Sequence, residues 1–366
     1  MEEGGPIKPL VVTGGATRVR LALTLGGGAA RGLAHIGVLE VLEREGIRPD
    51  CIVGSSMGAL IGSLSAKGLS ARDIFDLARE FGFPRWFIPG GLVKWDVVFR
   101  SAARVLSRVT FEDLTTPLVV TAVDLEAGTQ VILHAGPVLP AIRASCAVPG
   151  ILPPIKLGAR WLVDGGLLNL LPVDVAWMAE PDIVIAVKVG ATRARPMPRL
   201  NWRLTSLLSV LGHIVPNPGT AKVAFEVLVR AAEITLDRQT ALAAAMTNPE
   251  LLIEPDLGDI GLRDFNRLED AVKAGRCAAE EVLPKLDHLL SSPSCRRKQG
   301  EIEIHLRFDP VCAMVISPRR ARASVRHEGS LYYFCSANCR DVFDRDPDRY
   351  LAVTALSFQP PPRDTR

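Results

Sequence analysis

Features typical of membrane-spanning, secreted and nucleic-acid-binding proteins are scarce in this sequence. Its apolar runs, such as DIVIAVKVG at 182–190, are far shorter than the roughly 20 residues of a bilayer-spanning helix. Seven cysteines, an odd number spread over 366 residues, do not suggest a disulfide framework. A net charge of +3 without a Lys/Arg-rich run gives no indication of nucleic-acid binding. The start MEEGGPIKPL lacks the apolar core of a signal peptide, so we expect a cytoplasmic protein.

What is present is the alternation of strands and helices of an α/β protein. Strands such as VRLALTL and PDIVIAVKVG are each followed or preceded by helical stretches, which favours a mainly parallel sheet covered on both faces. The composition changes abruptly at SSPSCRRKQG, which is typical of a linker. We therefore predict five parts: a flexible N-terminus at 1–18, a large domain at 19–290, a linker at 291–300, a small domain at 301–352 and a tail at 353–366.

The stretch CIVGSSMGAL at 51–60 places Ser56 in a sharp strand-to-helix turn. Gly54 and Gly58 lack a Cβ, which lets the strand and helix pack closely around the bend and leaves the serine presented. The helix that follows would direct its first N–H groups towards the same point, which favours a developing negative charge. A GxSxG pattern alone also fits a glycine-rich turn without chemistry.

A second glycine-rich stretch, GGGAARG at 26–32, also follows a strand and opens a helix. Unshielded backbone N–H groups at Gly27 and Gly28 suit an oxyanion hole. The alternative is a dinucleotide-binding loop, but Arg31 stands where that pattern needs its third glycine. The combination of an oxyanion loop and a nucleophilic serine explains both stretches better.

The base that would activate Ser56 is predicted to be a carboxylate. None of the six histidines, at positions 35, 134, 213, 288, 305 and 327, follows a strand in a glycine-rich setting. His35 is predicted to be a packed or capped core side chain. Asp164 does follow a strand, in LVDGGLL, and Gly165 and Gly166 would let another backbone approach; an ordinary Asp-Gly turn is the alternative. Asp164 could take the proton while Ser56 bonds to a carbonyl and the oxyanion hole takes the charge.

Four ordered blocks resemble the bacterial patatin-like phospholipases of the branch related to neuropathy target esterase. They are LGGGAARGLAHIGVL, VGSSMGALIG, AIRASCAVPGILPP and LVDGGLLNLLPVDVA. The resemblance implies a three-layer α/β/α fold and a Ser–Asp dyad on Ser56 and Asp164. It places the oxyanion loop on Gly27, Gly28 and Ala29, with the basic residue on Arg31. It also implies hydrolysis of phospholipid or lysophospholipid acyl esters, with no cofactor. Ala29 stands where relatives often have glycine, and LLNLLPV departs from the usual NPLPV.

Residues 301–352 resemble a YHS domain, a module often fused to metal-handling proteins. The matching pieces are DPVC, YYFC and DPDRYL. Cys312, Cys335 and Cys339 could bind zinc or copper, with His327, Asp309 or water as a fourth ligand. The alternative is that these are reduced structural cysteines that pack beneath the aromatic residues.

Two other functions compete with a lipid hydrolase. An acyltransferase could use the same serine, but related enzymes of that kind need a histidine partner. A non-catalytic lipid-binding regulator would not need an intact Ser56, Asp164 and glycine loop. Two segments, EFGFPRWFIPGGLVKWDVVF with Trp86 and Trp95, and LNWRLTSLLSVLGHIVPNPG with Trp202, could make peripheral membrane contact or could pack on the core.

Overall fold

The computed structural model describes most of the large predicted domain and parts of the small one. The described residues are 10–12, 19–82, 94–158, 160–190, 218–291, 302–304, 307–311, 315–316, 321–334, 336–347 and 350.

Eight strands form one mixed, mainly parallel sheet, as the alternation of elements predicts. The strands are β2 (Leu21–Leu25), β3 (Cys51–Ser55), β4 (Leu118–Asp124), β5 (Thr129–Leu133), β6 (Ile155–Leu157), β7 (Arg160–Asp164), β8 (Ile183–Val187) and β9 (Leu251–Ile253). Their order is β6-β7-β4-β3-β2-β8-β9, and β5 pairs with the remaining edge of β4. The pairs among β4, β3, β2, β8 and β9 are parallel, whereas β5, β6 and β7 run antiparallel to their neighbours.

Helices connect and cover these strands. They are α1 (Ala34–Arg44), α2 (Met57–Ala66), α3 (Ala71–Ala78), α4 (Trp95–Val98), α5 (Arg100–Leu106), α6 (Val138–Ser145), α7 (Val173–Ala176), α8 (Pro218–Thr247), α9 (Leu268–Ser291) and α10 (Ala337–Arg345). Helix α3 begins with a capping box of Ser70 and Asp73, while the same pattern at Thr110 and Asp113 opens only one 3-10 turn. In the described part of the chain, no helix combines the length and apolar character needed to cross a membrane.

The two faces of the sheet carry separate apolar layers. On β2, Leu21, Leu23 and Leu25 pack into the layer formed with helices α1, α2 and α9. Ala22 faces the opposite layer, which includes α7 and Ala244 of α8. Because successive side chains of a strand point to opposite faces, this alternation establishes the predicted three-layer α/β/α arrangement.

Part of the N-terminal segment predicted to be flexible forms a strand. Strand β1 (Leu10–Val12) pairs antiparallel with β10 (Ile302–Ile304) of the small predicted domain. Both segments are short and rich in branched apolar residues, which suit a paired strand. The Gly/Pro-rich composition around β1 gives no indication of this pairing, because the partner strand lies almost 300 positions away in the sequence.

The described residues of the small domain form short hairpins and one helix. The strands are β11 (Arg307–Phe308), β12 (Val315–Ile316), β13 (Ala323–His327) and β14 (Ser330–Phe334). Strands β13 and β14 form an antiparallel hairpin, and α10 packs against it through a cluster that contains Phe334, Cys339 and Phe343. The aromatic side chains thus form a small core of their own.

Candidate active site

Ser56 lies in a strained turn between β3 and α2. Its backbone has φ 53° and ψ −124°, and residues other than glycine rarely adopt such a positive φ. Gly54 and Gly58 make the turn sterically feasible. A Cβ at Gly54 would lie 2.5 Å from the Cα of Ala59, and one at Gly58 would overlap the backbone oxygen of Leu25. The tight turn leaves Ser56 at the N-terminal end of α2.

The register of β4 brings Asp164 to Ser56. Strand β3 pairs with the first part of β4, up to Ser55 opposite Thr121. Strand β7 pairs with the last part, beginning with Asp164 opposite Ala122. Strand β5 pairs with residues 120–124 along the other edge of β4, so β3 and β7 share one edge and meet end to end. Asp164 therefore lies at the end of a strand, as predicted, and that strand runs antiparallel to β4.

The two side chains are joined by a short hydrogen bond. Ser56 Oγ donates to Asp164 Oδ2 at 2.7 Å, and the N–H of Gly166 donates to Asp164 Oδ1 at 2.7 Å. Both side chains are almost fully buried, at 6% exposure for Ser56 and 5% for Asp164. Burial raises the pKa of Asp164 to about 6, and the two hydrogen bonds oppose that rise. A carboxylate with this pKa is a stronger base than an ordinary one.

Gly165 and Gly166 let the chain turn beside this carboxylate. A Cβ at Gly165 would overlap the backbone oxygen of Thr121, and one at Gly166 would lie 2.5 Å from Leu170 Cδ1 and 2.9 Å from Asp164 Oδ1. The close backbone approach predicted from the sequence is present at Gly165, whereas Gly166 is approached by side chains.

Ser145 fixes the backbone of Ser56 and was not singled out from the sequence. The N–H of Ser56 donates to Ser145 Oγ at 2.8 Å. Ser145 ends α6 and is fully buried. It lies in the quoted block AIRASCAVPGILPP, but a serine at a helix end carries no local signal of a contact 89 positions away.

The glycine-rich loop after β2 packs directly against Ser56. A Cβ at Gly27 would lie 2.9 Å from the Cβ of Ser56, so only glycine fits there. The N–H of Gly27 donates to the carbonyl of Leu170 at 2.8 Å. The expectation that Gly27 offers an oxyanion N–H is therefore wrong in this structure. Among the described residues, nothing accepts a hydrogen bond from the N–H of Gly28 or Ala29, which leaves these two as donors. Ala29 has φ 47°, which explains why glycine suits this position.

Arg31 does not face the serine. Its backbone N–H donates to Gly28 O at 3.0 Å, and its Nε donates to Ile260 O at 2.9 Å. Its guanidinium also pairs with Glu233 of α8 at 3.3 Å, and both side chains are buried. The predicted place of Arg31 in the oxyanion hole is therefore wrong: it ties the loop to α8, because a buried guanidinium needs a carboxylate and a carbonyl to replace water.

Histidines of the described chain do not hydrogen-bond to Ser56 or Asp164. His35 is buried, as predicted, and its Nε2 lies 2.7 Å from the carbonyl oxygen of Gly26. Burial lowers the pKa of His35 to about 4, so the ring is neutral at physiological pH and Nε2 is the donor. His134 follows β5, and His288 lies exposed on α9. His213 and His305 lie outside the described residues.

The predicted metal ligands are described only in part. Cys312 and Cys335 lie outside the described residues. Cys339 is buried with Phe334 and Phe343, the packing expected of a structural cysteine.

Within the described ranges, no group of His, Cys, Asp and Glu side chains forms a metal-binding cluster. Asp309 Oδ1 accepts from the N–H of Val311 at 2.9 Å, and His327 packs edge-on against Phe343 at 5.9 Å between ring centroids. Zinc or copper binding stays a prediction.

Of the three tryptophans considered for membrane contact, Trp95 is a core residue. It is buried and its ring centroid lies 4.9 Å from that of Phe99. Trp86 and Trp202 lie outside the described residues.

Comparison with known proteins identifies two families along the chain. Residues 23–177, which include Ser56 and Asp164, match the family described as patatin-like phospholipase, and residues 308–354 match the YHS domain. An NTE family protein of Mycobacterium tuberculosis is 34% identical over 278 residues, which cover 72% of this chain and 46% of that protein. Patatin-like phospholipase domain-containing protein 6 of Mus musculus is 29% identical over 273 residues, covering 70% of this chain and 20% of that protein.

Among solved structures, the crystal structure of VipD from Legionella pneumophila matches with a TM-score of 0.41 and 13% identity, covering 78% of this chain and 71% of that chain. The chain spans about half the length, or less, of the curated relatives it matches.

Proposed function

We propose that the chain hydrolyses lipid acyl esters, with Ser56 as nucleophile and Asp164 as general base, and the match of residues 23–177 to the patatin-like phospholipases supports this. The observation that carries the proposal is the 2.7 Å hydrogen bond from Ser56 Oγ to Asp164 Oδ2. It is formed by a serine in a strained turn and a carboxylate whose pKa is raised to about 6. A purely structural contact would not need either feature.

The reaction runs in two halves. Ser56 Oγ bonds to the ester carbonyl carbon while its proton passes to Asp164 Oδ2. The N–H groups of Gly28 and Ala29, with the N-terminal end of α2, stabilise the resulting oxyanion. Asp164 then protonates the leaving alcohol and an acyl-Ser56 ester remains. In the second half, water gives a proton to Asp164 and attacks the acyl group, and Ser56 recovers its proton as the fatty acid leaves.

The preferred substrates are phospholipids or lysophospholipids. The family names of the chain and its relatives support a lipid substrate, and Leu170 and Leu171 supply apolar wall beside Gly26 and Gly27. Hydrolysis itself needs no cofactor, since a nucleophile, a base and oxyanion donors are all supplied by the chain.

The direct test is labelling with a fluorophosphonate probe and turnover of p-nitrophenyl esters. We expect Ser56→Ala to abolish labelling and Asp164→Asn to lower kcat by about 10³-fold or more. Ser55→Ala is the matched control: Ser55 is the neighbouring buried serine, and its Oγ has no hydrogen-bond partner among the described residues. It should label and turn over normally.

Three results would contradict the proposal. Labelling that survives Ser56→Ala would place the nucleophile elsewhere. Folded wild-type protein that neither labels nor turns over would indicate a lipid-binding regulator. Turnover that requires an alcohol acceptor would indicate an acyltransferase.

A further inference from the structure

The exposed side of α8 is unusually apolar for a surface helix. Helices that face water carry mainly charged and polar residues on that side. On α8, Leu228 is 68% exposed and Met246 is 66% exposed, and Leu242 is also exposed. At 3.6 residues per turn these three side chains lie within about 40° of one another around the helix axis, over a length of roughly 27 Å. We call Leu228, Leu242 and Met246 the α8 stripe.

Helix α9 provides the comparison within the same molecule. It is another long helix on the surface of the large domain, with 24 residues. Its exposed residues include Glu269, Asp270, Lys273, Glu280, Glu281, Lys285 and Asp287. No exposed large apolar side chain is found among the described residues of α9. The α8 stripe is therefore a property of that helix and not of surface helices in this protein.

The charges of α8 are distributed unequally between its two sides. Its carboxylates between 227 and 247 are turned inward: Glu233 is buried against Arg31, and Asp237 is half-buried. Arg238 is exposed beside the stripe. The outer side thus combines apolar side chains with a cation, and the described part of α8 shows no fully exposed carboxylate. This combination suits the surface of a bilayer that contains anionic lipids.

The inner side of α8 touches the candidate active site. Asp237 and Thr240 line a pocket together with Gly26, Gly27 and Leu170. Leu167 and Leu168, three and two residues before Leu170, are themselves exposed apolar side chains. The helix that carries the stripe therefore also lines a pocket beside the oxyanion loop.

We propose that the α8 stripe docks on the surface of an anionic phospholipid bilayer and so holds the protein where its lipid substrate lies. The choice of a lipid occupant rests on the proposed function, because a lipid-hydrolysing site must meet its substrate at an interface. Docking raises the local concentration of lipid substrate without taking part in the chemistry.

The experiment compares the full-length protein with Leu228→Gln/Leu242→Gln/Met246→Gln. Co-sedimentation is measured with vesicles of phosphatidylcholine alone and with added phosphatidylglycerol, and turnover of a soluble p-nitrophenyl ester is measured in parallel. The triple variant should lose at least about tenfold in vesicle affinity, since three apolar side chains can no longer be buried in the bilayer. Its turnover of the soluble ester should be unchanged. Arg238→Gln should remove most of the preference for phosphatidylglycerol.

The matched control is Leu331→Gln, which changes an exposed leucine of β14 in the small domain and should leave vesicle binding unchanged. Vesicle affinity that is the same in the triple variant and the wild type would overturn the proposal. So would sedimentation that shows a wild-type dimer and a monomeric triple variant, because a second copy would then cover the stripe. If no ester is turned over while the variant still loses vesicle binding, docking stands and the proposed hydrolysis fails.

Discussion

Two glycine-rich turns lie side by side in the sheet, one after β2 and one after β3, and they use their backbones in opposite ways. In the turn after β3, the N–H of Ser56 is taken by Ser145 and the side chain is the proposed nucleophile. In the turn after β2, the N–H groups of Gly28 and Ala29 have no acceptor among the described residues, and the backbone is what remains available. Both turns hold a non-glycine residue at positive φ, Ser56 and Ala29.

The comparison shows that a strand–glycine–helix pattern does not by itself say which group is functional. The first turn is tied down at Gly26 and Gly27 by the carbonyls of Val187 and Leu170, and this leaves the next two N–H groups fixed but unpaired. In the second turn the N–H of Ser56 is already used by Ser145, and the side-chain hydroxyl is the group proposed to react. The decisive property is therefore which hydrogen-bonding groups the rest of the fold has already used.

The largest expected effect separates the glycines of the two turns. Gly58→Ala would force a Cβ into the backbone oxygens of Leu25 and Gly26, so we expect a loss of about 3 kcal/mol or more in the free energy of unfolding. Gly28→Ala would meet Val189 Cγ2 at 2.8 Å and Val189 O at 2.9 Å, where part of the strain can relax. We expect a loss of about 1–3 kcal/mol there, with reduced kcat. Urea denaturation and ester turnover measure both, and equal destabilisation would contradict the distinction.

The pH dependence of the second turn is expected to follow Asp164. The base must be ionised to accept the proton of Ser56, so kcat/KM for a soluble ester should fall about tenfold per pH unit once the pH drops below the raised pKa of about 6. A rate that holds down to pH 4 would show that Asp164 keeps the ordinary pKa of a carboxyl group.

Ionisation of Asp164 should lower the stability of the folded protein as the pH rises, whereas ionisation of an ion-paired carboxyl group would raise it. Its pKa is raised in the folded state, so burying the ionised form is unfavourable above pH 6 and the penalty disappears as the pH falls towards the unfolded value. Asp164→Asn should therefore raise Tm at pH 8 and have little effect at pH 4. A variant that lowers Tm at pH 8 would contradict this.

A smaller effect is expected from Ser145, which positions Ser56 without touching substrate. Ser145→Ala leaves the buried N–H of Ser56 without an acceptor, at a cost of about 1–3 kcal/mol in stability, and should lower kcat about tenfold with KM unchanged. The matched control is Ser63→Ala, which removes a buried hydroxyl of α2 bonded only to Leu60 O at 2.7 Å. That control should lose stability but retain kcat. Equal kcat in the two variants would contradict the positioning role.

The smallest effect is expected at Ala29. Ala29→Gly relieves the positive φ of 47°, a gain of about 1–2 kcal/mol, but the added freedom of the unfolded chain offsets about 0.5–1 kcal/mol of it. We expect a slight rise in Tm and unchanged turnover. Loss of turnover would show that the Ala29 side chain itself contributes to the site.

The sequence predicts the local elements well because their signals are local. Each of these elements depends on residues that are only a few positions apart in the sequence. Examples are the buried runs of β2 and β8, the elbow around Ser56 and the capping box of α3. The alternation of these elements predicts the three layers. The same reasoning places Asp164 at the end of a strand, as the structure does, but it cannot tell that this strand runs antiparallel to β4.

What the sequence could not predict depends on contacts between distant positions. Arg31 is a basic residue in the glycine-rich loop, as an oxyanion hole would suit, but its guanidinium hydrogen-bonds to Glu233, 202 positions away. Gly27 loses its N–H to Leu170, and Ser145 gains a role through Ser56. In each case the unknown was the partner, and no local pattern encodes it.

Strand β4 sets the spacing of the two proposed catalytic side chains, because β3 and β7 pair with consecutive parts of the same edge. No residue of β4 belongs to the proposed dyad itself. Ser55 sits opposite Thr121 and Asp164 opposite Ala122, so consecutive positions of β4 set the gap between hydroxyl and carboxylate. Removing one residue from this strand would slide one group past the other by about 3.3 Å and turn its side chain to the far face. Insertions and deletions in the loops around this site should therefore be tolerated far better than a change in the length of β4.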